Sequence, residues 1–231
     1  MWKYSPFWDF ARYLLKLEVV NELVIINNDS DNTPDLEILK DPKIKIINPG
    51  KNIYVNQAWN YGVHESNSDI LCVINDDLIF DLKIFYMINE FITDKMGCVC
   101  LSELLPHNKV LDENGELKYY MSNITGQTEL VPYINQSMYG YGVLFFIHKD
   151  NWVNIPSSLI VFYGDNFVFE QCYYRGLQNY MIDQLFHYHA GAKTTSVITQ
   201  NGKRDNLFVD FERKIYENEI RPKMIQGNFN F

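Results

Sequence analysis

An α/β fold, with a mostly parallel sheet flanked by helices in a single domain, is predicted for this 231-residue chain by three observations. Short apolar runs rich in β-branched residues alternate with helix-period segments from Leu23 to Leu101, the pattern of strands joined by helical crossovers. The early apolar runs end abruptly in polar or acidic residues, and the carboxyl edge of the strands is where open α/β sheets bind ligands. The length suits one large domain, and a hydrophobic content of 47% supplies a substantial core.

The elements follow in order. After Ser5, a candidate cap, and Pro6, a first-turn residue, Phe7, Phe10, Ala11, Leu14 and Leu17 recur at helical spacing. Leu23 to Ile26 reads as a buried strand that ends in the polar run Asn27 to Asn32, so that Asn28, Asp29, Ser30 and Asp31 stand at a strand's carboxyl edge. Leu36 to Leu39 is one helical turn, and Ile44 to Ile47 a second strand closed by Asn48-Pro49-Gly50. In the next helical segment Asn52, Asn56 and Asn60 are four apart. That spacing lays three amides along one face, with Val55, Ala58 and Trp59 toward the core. The competing reading makes Asn52 the N-cap and leaves the other two solvated.

Ile70 to Ile74 is a continuous apolar run suited to a strand buried on both faces, and it ends in Asn75-Asp76-Asp77. Adjacent carboxylates repel unless a cation or hydrogen-bond donors compensate. A hard divalent ion, Mg²⁺ or Mn²⁺, carrying a diphosphate does this with one or two carboxylate oxygens, its remaining positions going to water and phosphate. The same three residues equally suit a polar turn that caps a helix starting near Asp81.

A helix over 82–92 and a strand over 98–101 follow. From Pro106 to Gln136 the pattern weakens into a hairpin or mobile excursion. Val143 to Ile147 is a further strand, and a helix is expected over 167–175. Asp165, between Gly164 and that helix, is either its cap or a base at the mouth of a site. Met181 onward reads as one apolar strand ending in His187, His189 and hydroxyls. Either histidine completes a metal shell begun by Asp77 or binds phosphate; the alternative is a structural histidine bonded to backbone. An amphipathic helix near 211–220 is ended by Arg221-Pro222.

Composition narrows the function classes. The net charge of −9 argues against nucleic-acid binding over the whole surface. From Lys193 onward, however, seven Lys/Arg face five Asp/Glu, a local +2 able to meet a polyanion. Cys72, Cys98, Cys100 and Cys172 lack metal or disulfide spacing and read as buried thiols in a reducing compartment. No apolar run reaches the roughly 18 residues of a membrane span and no signal peptide is visible, so a cytoplasmic location without membrane association is expected, the host cytoplasm if the protein is viral.

With these pieces in place, the chain resembles nucleotide-sugar glycosyltransferases of the GT-A (Rossmann-like) fold, most similar to family 2, over about Asn21 to Ser196. Leu23 to Asp31 is similar to the family's acidic turn that meets base and ribose, and Asn52 to Gly62 to its asparagine-and-glycine helix. Ile74-Asn75-Asp76-Asp77 resembles its DxD-type signature, and Tyr163-Gly164-Asp165 its later acidic motif. His189, with the sequel through Lys193 to Ser196, resembles its closing histidine and diphosphate-side segment. The resemblance implies Asp77 and His189 as ligands of Mn²⁺ or Mg²⁺, and Asp165 as general base of an inverting transfer. It further implies Asn28, Asp29, Ser30, Asp31, Asn52, Asn56, Asn60, Asn75, Asp76 and Lys193 around a nucleoside-diphosphate sugar, a UDP-sugar being favoured. The expected division is a domain over 1–196, with a nucleotide half to about 105 and an acceptor half from about 106, and a helical tail over 197–231. The acceptor would be a saccharide or small molecule. The opening Met1-Trp2-Lys3 and the Asn-, Ile-, Lys- and Tyr-rich composition also resemble viral enzymes related to the glucosyltransferase of hydroxymethyluracil in DNA, so hydroxymethylated DNA is the alternative acceptor. A non-catalytic sugar-nucleotide-binding or scaffold protein of the same fold is the reading from another class. One departure stands out: the family opens on a strand before its first helix, and this chain opens where the loop after that strand falls.

Overall fold

The computed structural model describes residues 6–28, 37–101, 107–111, 113–114, 117–135, 142–190 and 206–230. Its central layer is a five-stranded sheet. The strands are β3 (Ile70–Ile74), β5 (Met96–Leu101), β8 (Glu129–Tyr133), β9 (Leu144–His148) and β10 (Gln178–Asp183), in the order β3-β9-β5-β10-β8. β1 (Leu23–Ile26) and β2 (Ile44–Ile47) form a separate parallel pair. β4 (Leu78–Phe80), β6 (His107–Leu111), β7 (Leu117–Ser122) and β11 (His187–His189) form an antiparallel sheet in the order β4-β11-β7-β6.

Alternation along the strands divides the interior in two, because successive side chains point to opposite faces. Cys98 and Cys100 of β5 and Phe145 and Ile147 of β9 enter one core; Val99, Leu101, Leu144 and Phe146 enter the other. The first core is closed by α4 (Gly164–Tyr174), through Phe167, Val168 and Cys172, and by the tail residues Tyr216, Ile220 and Met224. The second is closed by Phe10 and Leu14 of α1 (Pro6–Leu15) and by Ile84 and Ile88 of α3 (Ile84–Phe91). The opposite stripe of α1, Phe7, Ala11 and Leu15, packs on Ile25 of β1 and Ile38.

The α/β class holds, with a central sheet flanked by helices, but the sheet is mixed rather than mostly parallel. β9 runs antiparallel to both β3 and β5, so those two share a direction, and β10 is parallel to β5. The strand after the 106–136 excursion returns between two strands already in place, and such an insertion needs no crossover helix. That excursion contains a hairpin, β6 against β7.

Two further expectations are corrected. The apolar run from Met181 is two strands in different sheets, because Gln184 at φ 55° breaks the extension between β10 and β11. The tail helix does not stop at Pro222. α5 (Asn206–Ile215) passes through a π turn at Tyr216–Ile220 into α6 (Arg221–Ile225), where Pro222 occupies the first turn and needs no amide donor.

Candidate active site

The carboxyl ends of β1 and β3 open into one cavity of about 1630 Å³. β3 ends in Asn75, Asp76 and Asp77, all on the cavity wall. The antiparallel ladder between β4 and β11 sets His189 opposite Leu78, and the Ala190 amide donates to the Asp77 carbonyl at 2.9 Å. This pairing brings His189 Nε2 to 3.2 Å from Asp77 Oδ1, although 112 positions separate them in sequence. Asp77 is 5% exposed. Burial, and then the charge of Asp77, push the neighbouring Asp76 carboxyl up to about 6.

Asp165 comes from the other side, in the first turn of α4. Its Oδ2 accepts from the Gly142 amide at 3.0 Å and its Oδ1 from the Asn166 amide at 2.9 Å. Two lone pairs per oxygen leave the carboxylate capacity for a substrate hydroxyl. The backbone before it turns sharply, with Tyr163 at φ 61°, and a carboxylate from the tail holds that turn. Glu212 on α5 is fully buried and accepts from the amides of Ile160 (3.0 Å), Val161 (3.2 and 3.3 Å) and Phe162 (2.7 Å). Burial raises its pKa and outweighs the three amides, which act in the opposite sense. Next to it, Arg213 donates through Nε to the Tyr163 hydroxyl at 2.8 Å and also lines the cavity. Only the amphipathic spacing of α5 was legible in sequence; nothing there marked Glu212 or Arg213 as partners of the turn that precedes Asp165.

The remaining expected residues fall into three groups. Asn28, Asn52, Asn75 and Asp76 line the cavity. Asn28 Oδ1 accepts from the Ile53 amide at 3.1 Å and Asn52 Oδ1 from the Tyr54 amide at 2.8 Å, which shapes the start of α2 (Tyr54–Glu65). Asn56 and Asn60 do not line the cavity, contrary to the expectation of ligand contact. Asn56 is fully buried and donates to the Phe162 carbonyl at 3.1 Å; Asn60 donates to the Ile155 carbonyl at 2.8 Å and accepts from its amide at 2.9 Å. Their helix face is covered by residues 155–162, so the amides satisfy backbone there instead of meeting a ligand or water. His187, 2% exposed with Nδ1 3.0 Å from the Leu185 carbonyl oxygen, is likewise structural. Asp29, Ser30, Asp31 and Lys193 lie outside the described residues.

The cavity is strongly acidic. Glu22, Asp69, Asp76, Asp77 and Asp165 line it, and Arg213 is the only Lys or Arg among the described lining residues. A diphosphate entering this mouth needs a cation with it. Among the described residues no three His, Cys, Asp or Glu side chains gather around one point; Asp77 lines the cavity, and His189, which does not, reaches it only through Asp77. A carboxylate and an imidazole in contact could supply two ligands to a hard ion that fills its shell with phosphate oxygens and water. No helix among the described residues is long and apolar enough to cross a membrane.

The curated proteins contain no sequence match. Among solved structures, S. aureus TarS 1–349 superposes with a TM-score of 0.54 at 11% identity, covering 94% of this chain and 69% of that one. GalNAc-T7, solved with UDP, GalNAc and Mn²⁺, gives a TM-score of 0.43 at 13% identity over 95% of this chain and 52% of that one. The chain thus spans about half the length of the latter. The sequence model of Glycosyl transferase family 2 matches residues 15–167, from the end of α1 to the first turn of α4 with Asp165. The chain belongs to glycosyl transferase family 2.

Proposed function

We propose that this protein is a divalent-metal-dependent glycosyltransferase that moves a sugar from a nucleoside diphosphate, UDP favoured, to an acceptor hydroxyl with inversion. The observation that carries the reading is the Asp77–His189 contact at 3.2 Å on one side of an acidic cavity whose other side presents Asp165. Asp77 and His189 would hold the ion, which neutralises charge on the leaving diphosphate. Asp165 takes the proton of the acceptor hydroxyl as its oxygen bonds to the anomeric carbon and the carbon–diphosphate bond breaks on the opposite face. Asn28, Asn52 and Asn75, which line the cavity, would meet the nucleoside. Arg213, paired with Asp210 at 3.1 Å, is the Lys or Arg that lines the cavity among the described residues. With the +2 of the tail it makes hydroxymethylated DNA the acceptor class to test after saccharides.

The test is thermal stability with UDP, GDP, CDP and ADP, each with Mn²⁺ and with chelator, followed by transfer from the stabilising donor. A ligand at a hundredfold over its Kd adds about 2.7 kcal/mol. A shift with one nucleotide only in the presence of metal supports the reading. A folded chain indifferent to all four supports the non-catalytic alternative.

A further inference from the structure

Among the described residues three that are not glycine hold a left-handed backbone: Tyr54 at φ 61°, Tyr163 at φ 61° and Gln184 at φ 55°. A bulky side chain is rare there, because its Cβ crowds the neighbouring carbonyl, and glycine meets the same geometry at least cost. Each of the three therefore needs a reason for its side chain. For two of them the reason is internal to the fold. The Tyr163 hydroxyl accepts from Arg213 Nε at 2.8 Å, and its ring stacks on Tyr216 with centroids 5.1 Å apart. Gln184 Oε1 accepts from the Thr125 amide at 2.9 Å and the Gly126 amide at 3.2 Å, which ties the strand break to residues 125–126.

Tyr54 differs. Its backbone is held from both sides: the amide donates to Asn52 Oδ1 at 2.8 Å, the carbonyl accepts from Asn28 Nδ2 at 3.3 Å, and Asn28 Oδ1 accepts from the preceding Ile53 amide at 3.1 Å. The side chain is not held. Tyr54 is 44% exposed and belongs to none of the three apolar clusters, and among the described residues its ring and hydroxyl have neither a hydrogen-bond nor a ring partner. It stands on the wall of the active-site cavity. Three hydrogen bonds thus fix a strained backbone whose side chain the described fold does not use, and strain of this kind persists where it serves a site.

Position says which part of a ligand the ring meets. The lining residues joined to Tyr54 by these hydrogen bonds or next to it on α2 are Asn28, Asn52, Val55 and Ala58, all uncharged. The carboxylates stand elsewhere on the wall, Asp76 and Asp77 after β3 and Asp165 on α4. A diphosphate with its cation belongs at the end of β3, and the flat, uncharged part of the same molecule belongs at the amide-lined wall after β1. We infer that Tyr54 is the face on which the nucleobase of the donor stacks, an inference that rests on the proposed transfer from a nucleoside diphosphate. Every base offers a π face, so the ring supplies affinity without choosing among bases. The hydroxyl has no part in such a contact. The strained backbone is then the condition for presenting a ring, and not glycine, at this point of the wall.

The experiment compares wild type, Tyr54→Gly and Tyr54→Phe by thermal unfolding without ligand and by calorimetric titration in Mn²⁺. The titrants are inorganic pyrophosphate and whichever of UDP, GDP, CDP and ADP the wild type binds. Tyr54→Gly should keep or raise the ligand-free midpoint, because it relieves the backbone. It should weaken nucleotide binding by about 5- to 150-fold, the fold-change of one lost base–aromatic stack. Pyrophosphate, which has no base, should stay within about twofold in Tyr54→Gly, and Tyr54→Phe should keep both ligands within about threefold. Unchanged nucleotide affinity in Tyr54→Gly would overturn the inference. Equal weakening of pyrophosphate would also overturn it, and so would a lowered ligand-free midpoint, which would make the ring part of the fold. A wild type that binds pyrophosphate no more weakly than any nucleotide would leave the base without a site and overturn it too. A wild type that binds neither, even with Mn²⁺, would instead remove the transferase reading on which the inference rests.

Discussion

Nε2 of His189 lies 3.2 Å from Oδ1 of Asp77 because β11 pairs with β4, not because the residues are near in sequence. If this contact is the metal site of the resting chain, each partner serves the ion more than it serves the fold. Asp77→Asn should abolish the Mn²⁺-dependent rise in unfolding midpoint and leave the metal-free midpoint unchanged or higher, since it removes a charge beside Asp76. His189→Ala should weaken the metal response and cost the metal-free chain about 1 kcal/mol for the lost hydrogen bond. A full Mn²⁺ response in Asp77→Asn would move the metal elsewhere.

The pH profile should carry the same signature. The Asp76 carboxyl has an ordinary value of 3.8 and is pushed up to about 6. Between those values the folded chain holds a proton that the unfolded chain has released, so metal-free stability falls as pH rises through this window and is level above it. The total is at most about 3 kcal/mol. A cation at Asp77 offsets the repulsion, so the Mn²⁺-induced shift should be larger at pH 7.5 than at pH 5. Asp76→Asn should flatten the metal-free profile. A wild-type profile already flat from pH 4 to 6 would contradict this account.

The tail should matter to chemistry at Asp165 as well as to stability. Glu212→Ala leaves the amides of Ile160, Val161 and Phe162 buried without an acceptor, at about 1–3 kcal/mol per group before relaxation. Glu212→Gln keeps one acceptor oxygen and should cost less. In an assay with an identified donor, Gln should lower kcat more than it raises the donor KM, because the turn it loosens presents Asp165 and not the Asp77 side. Matched changes in both constants would make Glu212 a fold residue only.

Why these features differed in legibility is physical. β1, β2 and β3 were readable to the residue because apolar runs bounded by polar clusters are a local signal, and Asp77, Asp165 and His189 stood out as ionisable groups next to such runs. Asn56 and Asn60 were misassigned because helix period fixes which residues share a face, not which surface covers it. Glu212 was invisible because a single carboxylate on an amphipathic helix looks solvated until the 160–162 amides are placed against it. The break at Gln184 is hard to read because apolar residues resume at Leu185 beyond Asp183 and Gln184, while only the backbone, with Gln184 at φ 55°, shows the chain turning there.

Gly164 offers the sharpest test of how α2 and α4 position Asp165. A Cβ on Gly164 would stand 2.1 Å from Asn56 Oδ1 and 2.5 Å from its Cγ, and Asn56 is fully buried with that oxygen unpartnered. Neither group can swing away, since Asn56 Nδ2 is bound to the Phe162 carbonyl and Gly164 opens α4. Gly164→Ala should therefore destabilise by about 1–3 kcal/mol, as overpacking does, and lower activity by displacing Asp165. Asn56→Ala alone should cost about 1 kcal/mol for its hydrogen bond. The double variant should be more stable than Gly164→Ala, because the second change removes the obstacle to the first. Strict additivity in that double-mutant cycle would show that the clash is relieved elsewhere in the fold.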